Sequence, residues 1–495
     1  MGKALVLIGN NLKYDTRVKR HIKSMAEVMD SVHVLARPIP DEQFYLNIPN
    51  VSHSFYYYVP QSHPINEEIL NFAGQYELRE AVLACFPILE CETYYNLPDL
   101  ERYTDIISKY VTGERWKDIT NRKSEEMDIY NALSYPLTFF ESSVQYAARA
   151  LEAEADVVFC NDVDTLFAGV IHKLHYGSRL VYDFHDIAAD ITENVFPQIY
   201  SNVLALFEKS FIQYADIVIS VCRSTLKWSK QHYAFQAPAI PILNCSDTKS
   251  MSRWFGWKRI PRNKIRLYYH GMSDDSRGLF ELVHAAERFE EYQVVLRCLP
   301  SENLEKLKAE VEKKGLGDKV IFLEPVLPSE IPEAAHRDGD IGFHMCRTDT
   351  CINWRMALTN KFIEYTKAGL PIITSDTEEQ GNIIRQYKNG WILEGNTEEA
   401  IVAVLEEIKE NLKSIPRMSR RSLKTSKKLF SWKKYDLILK GIAQNDQTII
   451  CQNQIYVSLD QEQLERWDTE DKKNIFEASD NFGNIIYEEG QDYES

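Results

Sequence analysis

Several strand-like segments of this 495-residue sequence end in polar residues whose types could do chemistry. They are Gly9, Asn10, Asn11, Asp15 and Arg17 after "KALVLI", Asn161 and Asp162 after "VVFC", and His185 after "RLVYDF". Glycine and asparagine tolerate unusual backbone dihedrals and leave N–H groups facing a ligand. A histidine at a strand end can donate to a substrate oxygen or act as acid or base. An ordinary turn and a structural histidine are the competing interpretations.

The segment Asn161-Asp162-Val163-Asp164 carries two carboxylates with one residue between them. Carboxylates are hard ligands for magnesium or manganese, so the triplet could form a metal site. Alternatively, one of the two aspartates caps the helix predicted over "TLFAGVIHKL", because a negative charge is favourable at a helix N-terminus.

A second group of polar residues follows the strand-like segment "KIRLYYHG". Gly271 and Gly278 allow a ligand to approach the backbone closely, and Arg277 between them offers a planar fork that suits phosphate. The spacing therefore favours a phosphate-binding loop at this strand end.

The segment "ALTNKFIEYTKAGLPIITSD" predicts a short helix that stops at Gly369 and is followed by a buried strand. A helix that begins at about Asn360 directs free N–H groups and a positive dipole end at a ligand, and Lys361 adds a charge, so an anion site is predicted. Glu364 lies one turn further along and could accept two hydroxyls of a ribose. Alternatively, it forms an ion pair within the helix, with Lys361 or Lys367.

The elements that must position these residues alternate between strands and helices, which predicts parallel sheets. We predict an N-terminal α/β domain over 1–245, with a helical insertion at about 55–150, and a second α/β domain over 246–443. We expect the final helix of the second domain to pack back on the first. An acidic extension covers 444–495. Because ligands bind beyond the carboxyl ends of parallel strands, two such domains imply a central cleft.

The composition is that of a globular protein and narrows the class of partner. Hydrophobic residues make up 44% of the chain, and the net charge of -16 argues against nucleic acid as the main partner. Nine cysteines are scattered without metal-binding spacing, which favours a reducing cytosol. The first residues lack the pattern of a signal peptide, and no apolar run is long enough to span a bilayer. We therefore expect a cytoplasmic protein.

In this order, the quoted segments resemble the retaining, GT-B-fold nucleotide-sugar glycosyltransferases of the family 4 (group 1) type. The matching stretches include "NNLKYDTRVKRHIKSM", "VVFCNDVDTLFAG", "LVYDFHD", "YADIVISVC", "YYHG…RGLFELVHAA" and "LTNKFIEYTKAGLPIITSD". The resemblance extends from the start of the chain to about Leu439, except in the insertion. It implies two Rossmann-like domains that face a central cleft, of which the first binds the acceptor and the second binds the nucleotide-diphosphate sugar.

The resemblance also implies roles for individual residues. Glu364 would hold the ribose, Arg277 would contact the diphosphate, and His185 would lie beside the donor sugar. We take His185, Arg277 and Lys361 as the catalytic candidates. The donor-binding candidates are Gly9, Asn10, Gly271, Gly278, Asn360 and Glu364, and the acceptor-side candidates are Asn11, Asp15, Arg17, Asn161 and Asp162.

Two positions depart from the family pattern. Met356 stands eight residues before Glu364, where the family often has a glutamate that reaches the donor sugar, and Asn353, Arg355 or backbone N–H groups would have to serve instead. Met272 stands where an arginine often follows the glycine of the first loop of the second domain. These departures leave a second reading open, in which the protein is a non-catalytic GT-B scaffold or partner subunit.

The expected activity is that of a hexosyltransferase-like enzyme, acting on a glycan, lipid-linked or protein acceptor in surface polysaccharide or glycoconjugate synthesis. No pair of carboxylates flanks a single locus, so a double-displacement nucleophile is not evident. The resemblance implies a front-face reaction in which the leaving phosphate takes the acceptor proton. We expect no tightly bound cofactor and no metal requirement. A sugar-nucleotide epimerase on the same fold is a further alternative.

Two stretches of the sequence are basic within an acidic protein. The first comprises Lys13, Arg17, Lys19, Arg20 and Lys23, and the second comprises Arg417, Arg420, Arg421, Lys424, Lys427, Lys428, Lys433 and Lys434. Solvated helix faces are one interpretation. The other is weak, salt-sensitive adhesion to the anionic inner face of the plasma membrane, with Phe430 and Trp432 as shallow anchors. The C-terminal extension is a candidate site for docking a partner protein.

Overall fold

The computed structural model describes residues 2–38, 43–60, 66–86, 89, 125–188, 197–245, 256–261, 263–348 and 352–457. Residues 90–124 of the predicted insertion, linker residues 246–255 and the acidic extension from 458 onward lie outside the described residues. The chain divides into two compact units. Unit 1 runs to Ile242 and resumes at Tyr435, and unit 2 runs from Leu243 to Lys434.

Unit 1 contains a parallel sheet with the order β3-β2-β1-β4-β5-β6-β7 among its described residues. The strands are β1 (Lys3–Leu7), β2 (Ser31–Ala36), β3 (Val51–Phe55), β4 (Val157–Asn161), β5 (Arg179–Phe184), β6 (Ile217–Ser220) and β7 (Ala239–Pro241). The helices that the first part of the chain contributes are α1 (Thr16–Ala26), α2 (Asn66–Gly74), α3 (Arg79–Cys85), α4 (Glu125–Ala150), α5 (Val163–Tyr176), α6 (Pro197–Phe211) and α7 (Arg223–Tyr233). Strands β1, β4 and β5 are almost wholly buried, as expected for the centre of a parallel sheet.

Unit 2 repeats this architecture with the sheet order β10-β9-β8-β11-β12-β13, again parallel among the described residues. The strands are β8 (Ile265–Gly271), β9 (Tyr292–Cys298), β10 (Val320–Phe322), β11 (Ile341–His344), β12 (Ile372–Ser375) and β13 (Gly390–Leu393). The helices are α8 (Leu279–Glu287), α9 (Glu302–Lys313), α10 (Ile331–Asp338), α11 (Ile352–Met356), α12 (Asn360–Lys367), α13 (Glu378–Tyr387), α14 (Glu398–Glu410) and α15 (Ser414–Leu429). The chain then continues through α16 (Trp432–Gln444) and α17 (Gln447–Asn453).

The predicted α/β class, with two Rossmann-like parallel sheets, is confirmed. One strand, β3, was not predicted. It pairs with β2 at the edge of its sheet, and Ser52 and Ser54 hydrogen-bond the ring of His33 at 2.9 Å each. Polar residues on an edge strand remove the apolar pattern by which a strand is recognised.

Between Glu398 and Gln444 the chain forms three helices, α14, α15 and α16. The first break comes at Asn411, which has a non-helical backbone at φ -133° and ψ 64°, and the second comes at Phe430. Phe430 is fully buried and packs edge-on against Phe362 at 6.5 Å, so the prediction that Phe430 anchors in a membrane is wrong. In the described parts of the chain, no helix combines the length and apolar character needed to cross a bilayer.

Candidate active site

At the carboxyl end of β8, the side chain of Lys361 lies close to the backbone of Gly271. The φ of Gly271, +112°, lies in a region that residues with a Cβ rarely adopt. A Cβ placed there would lie 2.8 Å from Cε of Lys361, which is closer than carbon atoms pack. Gly271 therefore lets the side chain of Lys361 lie directly against the end of the strand.

Helix α12 begins at Asn360, where the sequence predicted it. Thr359 is the N-cap, and its hydroxyl accepts a hydrogen bond from the N–H of Phe362 at 3.4 Å. The backbone N–H and the hydroxyl of Thr359 both donate to Oε1 of Gln380, at 3.1 and 2.8 Å, which fixes the start of the helix. Oδ1 of Asn360 accepts a hydrogen bond from the Asn244 amide at 2.9 Å. The N-terminus of α12 is thus held rigidly.

Lys361 is a cation in an unfavourable position. Burial, and then the nearby positive charge of Arg277, lower the pKa of Lys361 to about 8. Its Nζ lies 5.4 Å from the centroid of the Tyr269 ring. A buried lysine beside a second cation gains most from a ligand that carries negative charge.

Arg277 is fixed by two neighbours in unit 2. Its Nε donates to Oδ2 of Asp274 at 2.9 Å, and its guanidinium carbon lies 4.4 Å from the centroid of the Trp354 ring. Burial of Asp274 is outweighed by hydrogen bonds from Ser276 and by the charge of Arg277, so the pKa of Asp274 is lowered. The stacked and paired guanidinium is preorganised, because less rotamer freedom remains to be lost when it meets an anion.

Gly278, the next residue, has a φ of +64°, and a Cβ there would overlap the side chain of Met345. The helix α8 begins at once after it. The turn of the predicted phosphate-binding loop therefore requires glycine at this position.

Glu364 makes a contact between elements rather than the predicted alternative of an ion pair within its own helix. Its Oε2 lies 2.8 Å from Nε2 of His270, the residue before Gly271 in β8. His270 is 5% exposed, and its Nδ1 has no hydrogen-bond partner among the described residues. The backbone N–H of His270 donates to the hydroxyl of Tyr365 at 3.3 Å. The histidine therefore fixes the carboxylate of Glu364 at the same strand end as Lys361.

In unit 1, His185 lies between two carboxylates just after β5. Its Nδ1 is 3.0 Å from Oδ2 of Asp162, and its Nε2 is 3.0 Å from Oδ2 of Asp183. Burial alone would lower the pKa of His185, but the two carboxylates outweigh it and hold this pKa well above the ordinary value. The two carboxylates therefore favour the charged form of the ring, and both of its nitrogens face a carboxylate oxygen.

Asp183 holds a second cation, Arg17 of α1. The guanidinium donates from Nε to Oδ2 at 3.0 Å and from Nη2 to Oδ1 at 2.7 Å. Burial raises the pKa of Asp183, but the charges of Arg17 and His185 outweigh this and lower it well below the ordinary value. Arg17 is only 4% exposed, so this acceptor-side candidate lies beneath the surface and positions Asp183.

The backbone at Asp162 is strained. Its φ of 67° and ψ of 165° lie in a region that is almost confined to glycine. Its side chain makes no capping hydrogen bond to α5 and contacts His185 instead. Asp162 thus occupies the N-cap position of α5, as one predicted alternative had it, and Asp164 lies in the first turn, but the side chain of Asp162 binds His185 rather than a helix N–H. Such strain persists where the surrounding structure imposes it, and it is frequent at functional sites.

Three other acceptor-side candidates have structural partners. Asp15 caps α1 through Val18 N–H at 2.9 Å and also accepts from the Asn10 amide at 3.1 Å. Asn161 is buried, and its amide donates to Leu7 O at 3.0 Å, which ties β4 to β1. Asn11 is buried as well, and its Oδ1 accepts from Lys13 N–H at 3.2 Å. These three side chains therefore stabilise the backbone at the ends of β1 and β4.

Gly9 lies beside the carboxylate of Asp164, for which the sequence left a metal site and a helix cap as alternatives. A Cβ on Gly9 would lie 2.5 Å from Oδ2 of Asp164, and Nη1 of Arg37 lies 3.4 Å from the same oxygen. Burial raises the pKa of Asp164 to about 6, against the opposing charge of Arg37. Asp162 and Asp164 thus face different partners. In the described ranges, no group of three or more histidine, cysteine, aspartate or glutamate side chains could hold a metal ion.

Sequence reasoning missed four residues of these sites, namely Arg37, Asp183, His270 and Trp354. Two of them carried a usable signal, because Asp183 and His270 are polar residues near the ends of otherwise apolar strands. Arg37 and Trp354 lie in segments without a distinctive pattern.

Comparison with known proteins adds family matches for both halves of the chain. Residues 252–425 match the family "Glycosyl transferases group 1", and residues 107–250 match "Glycosyltransferase Family 4". No curated protein sequence matches the chain significantly.

Solved structures with the same fold include three from bacteria. Sucrose-phosphate synthase from Thermosynechococcus elongatus is 12% identical, with a TM-score of 0.60 over 90% of this chain and 100% of that one. HepE from Anabaena, in complex with UDP and glucose, is 13% identical, with a TM-score of 0.55 over 90% and 100% of the two chains. The trehalose 6-phosphate synthase from Burkholderia multivorans is 12% identical, with a TM-score of 0.55 over 90% and 99%. The structural similarities show the GT-B fold, and residues 107–250 and 252–425 each match a glycosyltransferase family, so the chain is similar to glycosyltransferases of the group 1 type.

Proposed function

We propose that the protein transfers a sugar from a nucleotide-diphosphate sugar to a glycan, lipid-linked or protein acceptor, with retention of configuration. One observation carries the proposal. Lys361, Arg277 and the carboxylate of Glu364 are all held at the carboxyl end of β8, beside the N-terminus of α12. This arrangement combines two cations for a diphosphate with a hydroxyl acceptor for a ribose.

The diphosphate would be bound by the two cations together with the free N–H groups of α12. Lys361 is destabilised by burial and by Arg277, so an anion that neutralises both relieves an existing cost. Helix N-termini add a favourable dipole and unpaired donors for a phosphate. These donors stay in place as charge develops on the leaving phosphate, which is the condition for electrostatic catalysis.

The ribose would be held by Glu364. One of its oxygens already contacts His270, and this contact fixes the plane of the carboxylate. A fixed carboxylate discriminates in favour of a ligand with paired hydroxyls, because the geometry is set before binding.

Retention by a front-face route fits the unit 1 site. His185, which the family resemblance would place beside the donor sugar, has both ring nitrogens on carboxylates that favour its charged form, so it would act there as a fixed positive charge and would not remove the acceptor proton. The leaving phosphate would then accept that proton. HepE, which shares the fold, is bound to UDP and glucose, so uridine nucleotides are the first donors to test.

The scaffold alternative is favoured by one specific observation. Met356 is 1% exposed at the position where the family often places a glutamate. Nucleotide binding separates the two proposals, because a scaffold without a donor site would bind no uridine, guanosine or thymidine diphosphate. An epimerase would instead form product without any acceptor.

The deciding experiment incubates the purified protein with several nucleotide sugars and detects released nucleotide, with and without an acceptor mixture. In parallel, calorimetric titration of UDP compares the wild type with Glu364→Ala, and with Glu310→Ala on α9 as a control outside the site. We expect Glu364→Ala to weaken nucleotide binding more than it lowers thermal stability. Unchanged affinity in that variant would overturn the ribose role, and no binding of any nucleotide by the wild type would overturn the proposal.

We place this activity in surface polysaccharide or glycoconjugate synthesis. A lipid-linked acceptor would bring the protein to the inner face of an anionic membrane, and weak association with that surface belongs to the proposal. Docking of a partner protein through the C-terminal extension remains a further part of it.

A further inference from the structure

We propose that a basic face of unit 2 binds the surface of an anionic lipid bilayer, which deepens the membrane association named in the proposed function. The face is formed by α15 together with residues 256–261. Its members are Arg417, Arg420, Arg421, Lys424, Lys427 and Lys428 of α15, with Trp257, Arg259 and Ile260 beside them.

The cations of α15 form one stripe. They recur at intervals of three or four residues, with Arg420–Arg421 and Lys427–Lys428 as adjacent pairs, so at 3.6 residues per turn they lie within about one third of the helix circumference. The opposite side is buried, because the hydroxyls of Ser419 and Ser422 donate to Gly369 O and Leu370 O at 2.5 and 2.7 Å. The rotation of the helix about its axis is thereby fixed with the basic stripe outward.

No acidic residue in the sequence of α15 or the residues that flank it offsets this positive charge. Between Asn411 and Lys434 the sequence contains no aspartate or glutamate, although the whole chain has a net charge of -16. Arg417, Arg420, Lys424, Lys427 and Lys428 are exposed, and Arg421 is half-buried. A concentrated positive face on an otherwise acidic protein is a directional electrostatic feature.

The neighbouring segment adds apolar side chains to the same face. The N–H of Lys258 donates to the Ser419 hydroxyl at 2.7 Å, and the Lys258 side chain is buried. Trp257 and Ile260 point to solvent and are 48% and 41% exposed. The guanidinium carbon of Arg420 lies 4.4 Å from the centroid of the Trp257 ring, so the tryptophan lies within the basic stripe.

A bilayer is the occupant that uses both properties. Lysines and arginines are attracted to anionic headgroups, and each contributes about a fivefold gain in affinity near such a surface. Tryptophan and isoleucine prefer the boundary between headgroups and acyl chains. Nucleic acid or an acidic protein would satisfy the charges, but neither accounts for exposed Trp257 and Ile260 among them.

The other predicted basic stretch, Lys13 to Lys23, presents less charge to solvent. Arg17 is buried against Asp183, Lys13, Lys19 and Arg20 are half-buried, and Lys23 is exposed. Arg17 therefore does not belong to a membrane-binding patch, and the basic face of unit 2 is the more exposed of the two stretches.

The test measures co-sedimentation with vesicles of phosphatidylcholine alone and of phosphatidylcholine with phosphatidylglycerol. The test variant carries Arg417→Glu, Lys424→Glu and Lys427→Glu. A control variant carries Lys306→Glu, Lys308→Glu and Lys313→Glu on α9, which changes the net charge equally. We expect the wild type and the control to bind the anionic vesicles at low salt and to release them at high salt. We expect the test variant to bind at least about a hundredfold more weakly.

A second measurement follows tryptophan fluorescence. Anionic vesicles should shift the emission of the wild type to shorter wavelength, and Trp257→Ala should remove most of that shift. Thermal unfolding and UDP titration of the same variants should be unchanged, so that loss of folding or of the donor site is distinguished from loss of membrane binding. Equal binding by the test variant and the wild type, equal loss in the control, or binding to duplex DNA without binding to vesicles would overturn the proposal.

Discussion

The buried position of Lys361 predicts a pH-dependent affinity for nucleotide diphosphates. In the free protein its pKa is about 8, so the proton is lost progressively as the pH rises through that value. A bound diphosphate favours the protonated lysine and returns the pKa toward its ordinary value. Binding therefore takes up a proton above pH 8, and affinity falls as the pH rises.

The size of the effect follows from the protonated fraction. With a pKa of about 8, this fraction drops from roughly three quarters at pH 7.5 to roughly one tenth at pH 9.0. The dissociation constant should then rise about eightfold, which corresponds to ~1.3 kcal/mol at 1.36 kcal/mol per tenfold change.

The assay is calorimetric titration of UDP at both pH values, in two buffers with different ionisation enthalpies to count the proton taken up. Lys361→Met should weaken binding at pH 7.5 by about 1.5–3 kcal/mol, the usual contribution of a hydrogen bond to a charged group. Lys361→Arg keeps the charge at all accessible pH values and should show a flat profile, as should Lys361→Met. A wild-type affinity that is constant between pH 7.5 and 9.0, or a slope that persists in Lys361→Met, would refute the reasoning.

Three further outcomes are expected. Arg277→Ala should lower kcat/KM by about 2–4 kcal/mol of transition-state stabilisation while thermal stability changes little, and unchanged turnover would remove its catalytic role. His270→Ala should weaken UDP binding through the freed Glu364 carboxylate, and Glu364→Ala in the same background should then have a smaller effect than in the wild type. Asp183→Asn should lower the free energy of unfolding by about 3–5 kcal/mol, because Arg17 is left buried without its partner. Folding lowers the pKa of Asp183, so the stabilisation from its ionised form is present above the unfolded pKa of about 3.9 and is lost progressively as the pH falls below it toward the folded pKa. The free energy of unfolding, measured with denaturant, should therefore change less between pH 7 and pH 3 in the variant than in the wild type.

What could be predicted from the sequence was local. The start of α12 at about Asn360 and its end before Gly369 were predicted from the helical spacing of apolar residues and from a terminal glycine, and the structure has them there. The strands followed from short apolar runs, except β3, whose pattern is polar. The order of the elements was enough to give the fold class.

What could not be predicted depends on partners distant in the chain. Glu364 has lysines within a turn on its own helix, yet it contacts His270, 94 residues away. Arg17 lies in a basic, apparently solvated segment, yet it is buried against Asp183, 166 residues away. No local pattern distinguishes a lysine or arginine that will be paired inside a sheet from one that will face water.

The serines of α15 also fix the rotation of this helix about its axis. A leucine-lined face tolerates sliding because apolar contacts are non-directional, whereas Ser419 and Ser422 each require one particular carbonyl, Gly369 O and Leu370 O. Advancing the helix by one residue would rotate it by about 100° and carry its cations off the surface. The approach is close as well, since a Cβ on Gly369 would lie 2.9 Å from Leu423 Cδ2. Two hydroxyl groups thus fix the orientation of the cationic stripe relative to the C-terminal end of α12, whose N-terminus belongs to the proposed donor site.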